Sequence, residues 1–186
     1  MLKLDLNHLF LDRALGLIIV VLLCVSFVQA APSSWNRIWE EVAEIENLNS
    51  FDNQLYVSCN GLEGMYKVSS VHSNHHEDRT WNWECKNVVG HGYSTGCHQT
   101  DYVNDWDMPM FFMCPANAYI TVVDSYHDNG REDRRWKFRC CGVQGHITTS
   151  CRHTGYVNDW DGPLNFQADS DELITGVYSY HDNGRE

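Results

Sequence analysis

Two short strings carry the residue types that could do chemistry at a surface. Asp78-Arg79 stands just before Trp81, and Asp133-Arg134 stands in the same relation to Trp136. A guanidinium can stack on an indole face while pairing with the neighbouring carboxylate, and such a cluster can grip a neutral or sulfated sugar. The competing reading is a structural staple. The apolar residues around these indoles, which offer them a core to join, weigh toward it. A second pair of strings, Asn104-Asp105-Trp106-Asp107 and Asn158-Asp159-Trp160-Asp161, sets hard oxygen donors close together. Ca²⁺ takes roughly six to eight oxygens, about twice what either string offers, so calcium is no more than a possible ligand. Asx turns braced by Trp106 and Trp160 explain the same letters.

Histidines His72, His75 and His76, followed by His91 and His98, raise the question of zinc. His127 and His181 match His72 elsewhere in the chain, but Gly130 and Arg131 stand where His75 and His76 would be. A ligand set present once reads as local variation, and no metal or other cofactor is expected. Catalysis has less support still: there is no nucleophile elbow, no H-E-x-x-H and no phosphate-binding loop. Asp105 and Asp107, two positions apart, do not resemble the separated, differently tuned acids of a hydrolase.

These strings recur because the chain repeats itself, with a period of about 54 residues. E-D-R-T-W-N-W-E-C (77–85) matches E-D-R-R-W-K-F-R-C (132–140), and YVNDWDMP (102–109) matches YVNDWDGP (156–163). Cys59 answers to Cys114, and Cys97 to Cys151. A third unit opens near Leu164 and carries a second copy of YHDNGRE, without a following D-R-x-W-x-F-x-C. The pattern predicts units at 51–109, 110–163 and 164–186, the last short by about 25 residues on the period.

Within a unit, a stretch such as AYITVVDSYH is rich in β-branched and aromatic residues, and W-K-F-R-C alternates large apolar with charged residues. Asn129-Gly130 between them signals a tight hairpin turn at positive φ; Asn74-His75 in the first unit suggests a looser one. Trp136, Phe138 and Cys140 then share one strand face, as do Trp81, Trp83 and Cys85. With few aliphatic residues for a deep core, aromatics and cross-links must compensate. The expected fold is all-β, built from disulfide-stapled repeats of about 54 residues.

The amino terminus differs. An unbroken apolar run from Ala14 to Val28 ends in Val28-Gln29-Ala30. It is short for a bilayer-spanning helix, which needs about 20 residues, and reads as a secretory leader (1–30) cut after Ala30. Residues 31–50 are expected to hold a short helix. Trp35, Ile38, Trp39, Val42 and Ile45 recur at spacings of three and four, and Ser34 can cap it. The net charge of −12, unchanged by removal of the leader, disfavours nucleic acid and anionic membrane as partners. Of eight cysteines, seven lie beyond the leader: Cys59, Cys85, Cys97, Cys114, Cys140, Cys141 and Cys151. In an oxidising compartment they read as a disulfide framework, and their odd number asks for one partner elsewhere.

The D-R-x-W-x-[aromatic] hexapeptides at 78–83 and 133–138, the recurring YVNDWD and the Cys140-Cys141 doublet resemble the dermatopontin family, over about residues 51–186. That family is also called tyrosine-rich acidic matrix protein and includes invertebrate haemagglutinins, amebocyte aggregation factors and shell-matrix proteins. The resemblance implies a secreted, non-catalytic protein of the extracellular matrix. It implies binding to proteoglycans, glycosaminoglycans or cell-surface glycans and to collagen-associated matrix proteins or cell-surface receptors, with roles in collagen fibril organisation, cell adhesion or cell aggregation. It also implies pairing of Cys59 with Cys85, Cys114 with Cys141 and Cys97 with Cys140, leaving Cys151 for a partner further on. The chain departs from vertebrate members upstream, where their tyrosine-rich leader is replaced by the Trp35 to Leu48 segment, which has no tyrosine. The alternative is an acidic structural or calcium-associated shell or mineral matrix protein without a defined glycan pocket.

Overall fold

A computed structural model of the chain describes the backbone of residues 18–26 and the whole of residues 48–182. Eleven strands and no helix occur among them: β1 Ile18–Ser26, β2 Leu55–Ser58, β3 Gly64–Ser73, β4 Asp78–Lys86, β5 Ser94–Gln99, β6 Met110–Met113, β7 Ala118–Asp128, β8 Asp133–Val143, β9 Thr148–Tyr156, β10 Leu164–Gln167 and β11 Glu172–Tyr180. The helix expected within 31–50 lies outside the described residues except at its end, where residues 48–50 are not helical.

The strands form three antiparallel sheets in the orders β10-β3-β4, β2-β7-β8-β5 and β6-β11-β1-β9. Each of the two long hairpins, β3-β4 and β7-β8, arises from the expected alternation. Trp136, Phe138 and Cys140 point inward and are buried, while Arg135, Lys137 and Arg139 between them are only partly so. The hairpin turns differ from expectation. Neither Asn129 nor Gly130 takes positive φ; the left-handed residues are Glu77 and Glu132, each just before its second strand. Both turns close alike, His76 N–H donating to the Ser73 carbonyl and Arg131 N–H to the Asp128 carbonyl. The Asp128 carboxylate accepts from Gly130 N–H at 2.9 Å. An Asx turn thus uses the Asn-Gly region without the mirror-image turn, so the first hairpin is no looser than the second.

The inner faces meet in one aromatic core. Trp81 and Trp136 touch edge to face with centroids 5.0 Å apart, and Phe138 stacks on Phe112 at 4.7 Å. Each such ring removes about 150–250 Å² from water, which is how a chain poor in aliphatics fills its centre. Gly64 opens β3 where a Cβ would run into the Tyr119 ring, so no other residue fits without moving it.

Among the described residues three disulfides join Cys59 with Cys85, Cys114 with Cys140 and Cys97 with Cys141. The first agrees with expectation; the other two exchange the members of the doublet. Successive residues of a strand face opposite ways. Cys140 shares the inner face with Trp136 and Phe138 and meets Cys114 in the core, whereas Cys141 faces away and takes Cys97 of β5. No described cysteine is free, Cys151 included, so it does not stand as a thiol awaiting a partner.

Candidate functional site

The D-R-x-W strings lie inside the molecule: Asp78, Arg79, Trp81, Asp133, Arg134 and Trp136 are all buried. Arg134 Nε and Nη2 donate to the two oxygens of Asp78 at 2.9 and 2.7 Å, joining the head of β8 to the head of β4. The same guanidinium donates to Ser125 Oγ and to the Asn53 carbonyl, each at 3.0 Å. Asp78 also accepts from Asp52 N–H, and Asp133 from Asp107 N–H, both at 2.8 Å. This is the structural staple, not an exposed sugar grip: the indoles fill the core, and the Asp78–Arg134 pair is closed by hydrogen bonds.

Arg79 differs from Arg134 in its partners. Both of its terminal nitrogens donate to the Gly162 carbonyl at 3.1 Å, with Ser70 Oγ at 3.5 Å, and no carboxylate is hydrogen-bonded to it. Burial pushes its pKa down to about 10, against the pull of Asp161 and Asp78. Asp133 is raised by burial, partly offset by the backbone N–H groups of Asp107 and Arg134 and by His181.

The second strings divide by residue. Asn104 Oδ1 accepts from Trp136 N–H at 2.9 Å and its Nδ2 donates to the Arg134 carbonyl at 2.8 Å, so the side chain imitates a paired strand along β8. Asp105 points outward, its carboxylate 3.4 Å from Arg135. Asp107 sits at positive φ with His181 3.7 Å away. Asn104, Asp105 and Asp107 thus turn to three different partners rather than to one cation. Asn158 is buried and donates to the Asp159 carbonyl at 2.9 Å; Asp159 is exposed, and Trp160 meets Tyr180 edge-on at 5.8 Å.

A cavity of about 220 Å³ opens where the hairpin ends converge. Asp78, Arg79, Trp81, Asp133 and Arg134 line it, together with His72, His127 and His181, which occupy equivalent positions of the repeat. His72 Nε2 lies 3.3 Å from Asp161, and burial lowers its pKa. His127 Nδ1 faces Asn129 Oδ1 at 3.2 Å. Among the described residues, Asp52, Asp78 and His127 place one ligand atom each within 4.8 Å of one another. Asp78 is already committed to Arg134, whose positive charge opposes a metal ion there, so the group gives no support to a metal centre. His75 and His76 lie edge to face, and His76 stacks on Phe51 at 4.6 Å.

Asn49 and Asp52 belong to the same arrangement, although neither lies in the recurring strings. Asn49 Oδ1 accepts from Trp81 N–H at 2.7 Å and its Nδ2 donates to the Arg79 carbonyl at 3.2 Å, as Asn104 does one period later. The signal was present: Asn49-Ser50-Phe51-Asp52 stands one period before Asn104-Asp105-Trp106-Asp107, hidden by the change of Asp and Trp to Ser and Phe.

Aromatics and cations do meet outside. Arg135 lies over the Tyr102 ring at 4.3 Å and the Trp106 ring at 5.5 Å; Lys137 lies over Tyr102 at 4.3 Å and Arg131 over Trp106 at 5.7 Å. Tyr126 meets Trp106 edge-on at 6.2 Å. Of the expected ligand residues, Trp106, Asp105 and Asn104 join this cluster, the Asn104 carbonyl accepting from Arg135 Nε at 3.0 Å. At the corresponding places of β4 stand Thr80, Asn82 and Glu84, without a cation.

The family model described as Dermatopontin matches residues 49–186, three-quarters of the chain, so the chain belongs to the dermatopontin family. It is 45% identical over 141 residues to the hemagglutinin/amebocyte aggregation factor of Limulus polyphemus, covering 75% of this chain and 80% of that one. It is 36% identical over 124 residues to a dermatopontin of Biomphalaria glabrata (67% and 82%), and 31% over 137 residues to Millepora cytotoxin-1 of Millepora dichotoma (73% and 60%). No solved structure matches. Family and disulfides together are consistent with a secreted, adhesion-type protein of the matrix or agglutinin kind.

Proposed function

We propose that this chain is a secreted, non-catalytic adhesion protein whose leader is removed after Ala30. It binds sulfated glycans of proteoglycans or cell surfaces through the outer face of β8. The carrying observation is the stacking of Arg131, Arg135 and Lys137 against Tyr102 and Trp106 on a chain of net charge −12. Aromatic faces hold the cations extended and leave their free donors for sulfate or carboxylate groups, and a ring can lie against a sugar face. The Limulus relative's name speaks of hemagglutination and cell aggregation, which a glycan-binding surface would serve. This reading is supported by a disulfide-braced all-β body on which, among the described residues, Arg131, Arg135 and Lys137 gather beside Tyr102 and Trp106.

Retention of the secreted protein on heparin or dermatan sulfate, released by salt, is the test. The Arg135→Ala/Lys137→Ala double variant is expected to lose most retention while keeping its unfolding midpoint. Equal retention of variant and parent, or none by the parent at low salt, would remove the proposal.

A further inference from the structure

The two long hairpins close with the same backbone bond but put different side chains into their turns. Asp128-Asn129-Gly130 of the second stands where Ser73-Asn74-His75 stands in the first. Asn129 and Gly130 are exposed, and two neighbouring side chains reach the atoms through which an Asn-Gly pair reacts with itself. Asn129 Oδ1 lies 3.2 Å from His127 Nδ1. A carbonyl oxygen can only accept, so that contact puts the proton on Nδ1. His127 is 3% exposed, with Asp52, Asp78 and Glu132 around its ring, which holds the donor in place. On the other side, Asp128 Oδ1 accepts from Gly130 N–H at 2.9 Å.

A general acid or base must stand about 2.6–3.2 Å from the atom it serves, and both contacts meet that condition. Glycine suits the arrangement, since a Cβ at Gly130 would come 3.3 Å from the same Asp128 oxygen. Asn60-Gly61 has the dipeptide without these helpers: among the described residues, Asn60 is held only through its backbone N–H and carbonyl, both to Glu63.

We propose that Asn129-Gly130 is a self-modifying site, at which the folded chain converts its own asparagine to aspartate or isoaspartate. The Gly130 nitrogen bonds to Asn129 Cγ as its proton passes to the Asp128 carboxylate, while His127 Nδ1–H stabilises the negative charge gathering on Oδ1. The bond from Cγ to Nδ2 then breaks, and the proton held by Asp128 leaves with that nitrogen as ammonia. Water opens the resulting five-membered imide at either carbonyl, which restores the Gly130 N–H and leaves a carboxylate. Water is the only co-reactant, and nothing is oxidised or reduced. The product sets a negative charge two residues from Arg131, whose guanidinium lies over the Trp106 ring at 5.7 Å. Conversion therefore weakens the glycan surface with age, a consequence that rests on the β8 reading above; the reaction itself does not.

The test holds the secreted protein at neutral pH and body temperature and follows Asn129 and Asn60 by peptide mass mapping, with isoaspartyl methyltransferase labelling of the product. Asn129 is expected to convert at least tenfold faster than Asn60 in the folded protein, and at a similar rate in the reduced chain unfolded in urea. Asp128→Asn keeps an acceptor for the Gly130 N–H but removes the base, and should slow Asn129 at least tenfold. Equal rates at the two asparagines in the folded protein, or an unchanged rate in Asp128→Asn, overturn the site. Mass mapping reads the conversion whether or not the protein binds heparin. On a heparin column the converted form should elute at lower salt; equal elution of the two forms overturns the link to the glycan surface.

Discussion

At the residue scale, the charged pairs are best understood by asking which partner each loses when the other is changed. Removing the charge of Asp78 strands a buried guanidinium, and breaking such a pair costs about 3–5 kcal/mol. Asp78→Asn is therefore expected to lower the urea midpoint sharply, and adding Arg134→Gln should recover part of that loss in a double-mutant cycle. Additive losses would show that the two side chains do not act as a unit. The Asp-Arg-x-Trp residues were legible in the sequence as important but not as interior, because a stacked sugar grip and a core staple use the same letters. What separates them is whether hydrogen-bonding neighbours surround the pair. Those neighbours, Asn53, Ser125 and Asp52, are remote in sequence or come from a string whose aromatic and acidic letters had changed.

At the element scale, β9 and β11 are joined by an ion pair that reaches across the strand between them. Arg152 Nε and Nη2 donate to the two Glu172 oxygens, both at 2.7 Å. Glu172 is held below the ordinary carboxylate range, first by this hydrogen bond. Its contribution is present above the unfolded-state value of about 4.3 and fades as pH falls through the lower folded value. Arg152 is half exposed, which limits the effect to about 1 kcal/mol. Thermal melts should show Glu172→Gln less stable than the parent at pH 6 and level with it near pH 2; a constant gap would exclude the pairing. The alternation of Trp136, Phe138 and Cys140 made the strand faces readable, and the same alternation could have assigned the doublet. Cys59–Cys85 and Cys114–Cys140 each span 26 residues, so the repeat itself pairs Cys140 with Cys114. Peptide mapping of the unreduced protein is expected to recover Cys114 with Cys140 and Cys97 with Cys141.

At the scale of the whole molecule, the acidic net charge and the basic face of β8 act on different distances. Screening over about 8 Å at physiological salt leaves the local cluster free to attract an anion that the chain as a whole repels. Association with heparin should accordingly be slow at low ionic strength for its affinity, and less salt-sensitive in its on-rate than in its off-rate. The three-sheet arrangement was not legible in the sequence, since periodicity reveals hairpins and not which strands flank them.

That flanking has a wider consequence. β2 and β5, which enclose the first hairpin in sequence, pair instead on either side of the second, and β10 from still later in the chain returns to edge the first. Modules threaded through one another in this way cannot be shed or duplicated one at a time, as they can in an open array where each touches only its neighbours. Gene-level loss of a single copy would leave two sheets without their outer members, so the number of copies should be inherited as a fixed property rather than drift between lineages.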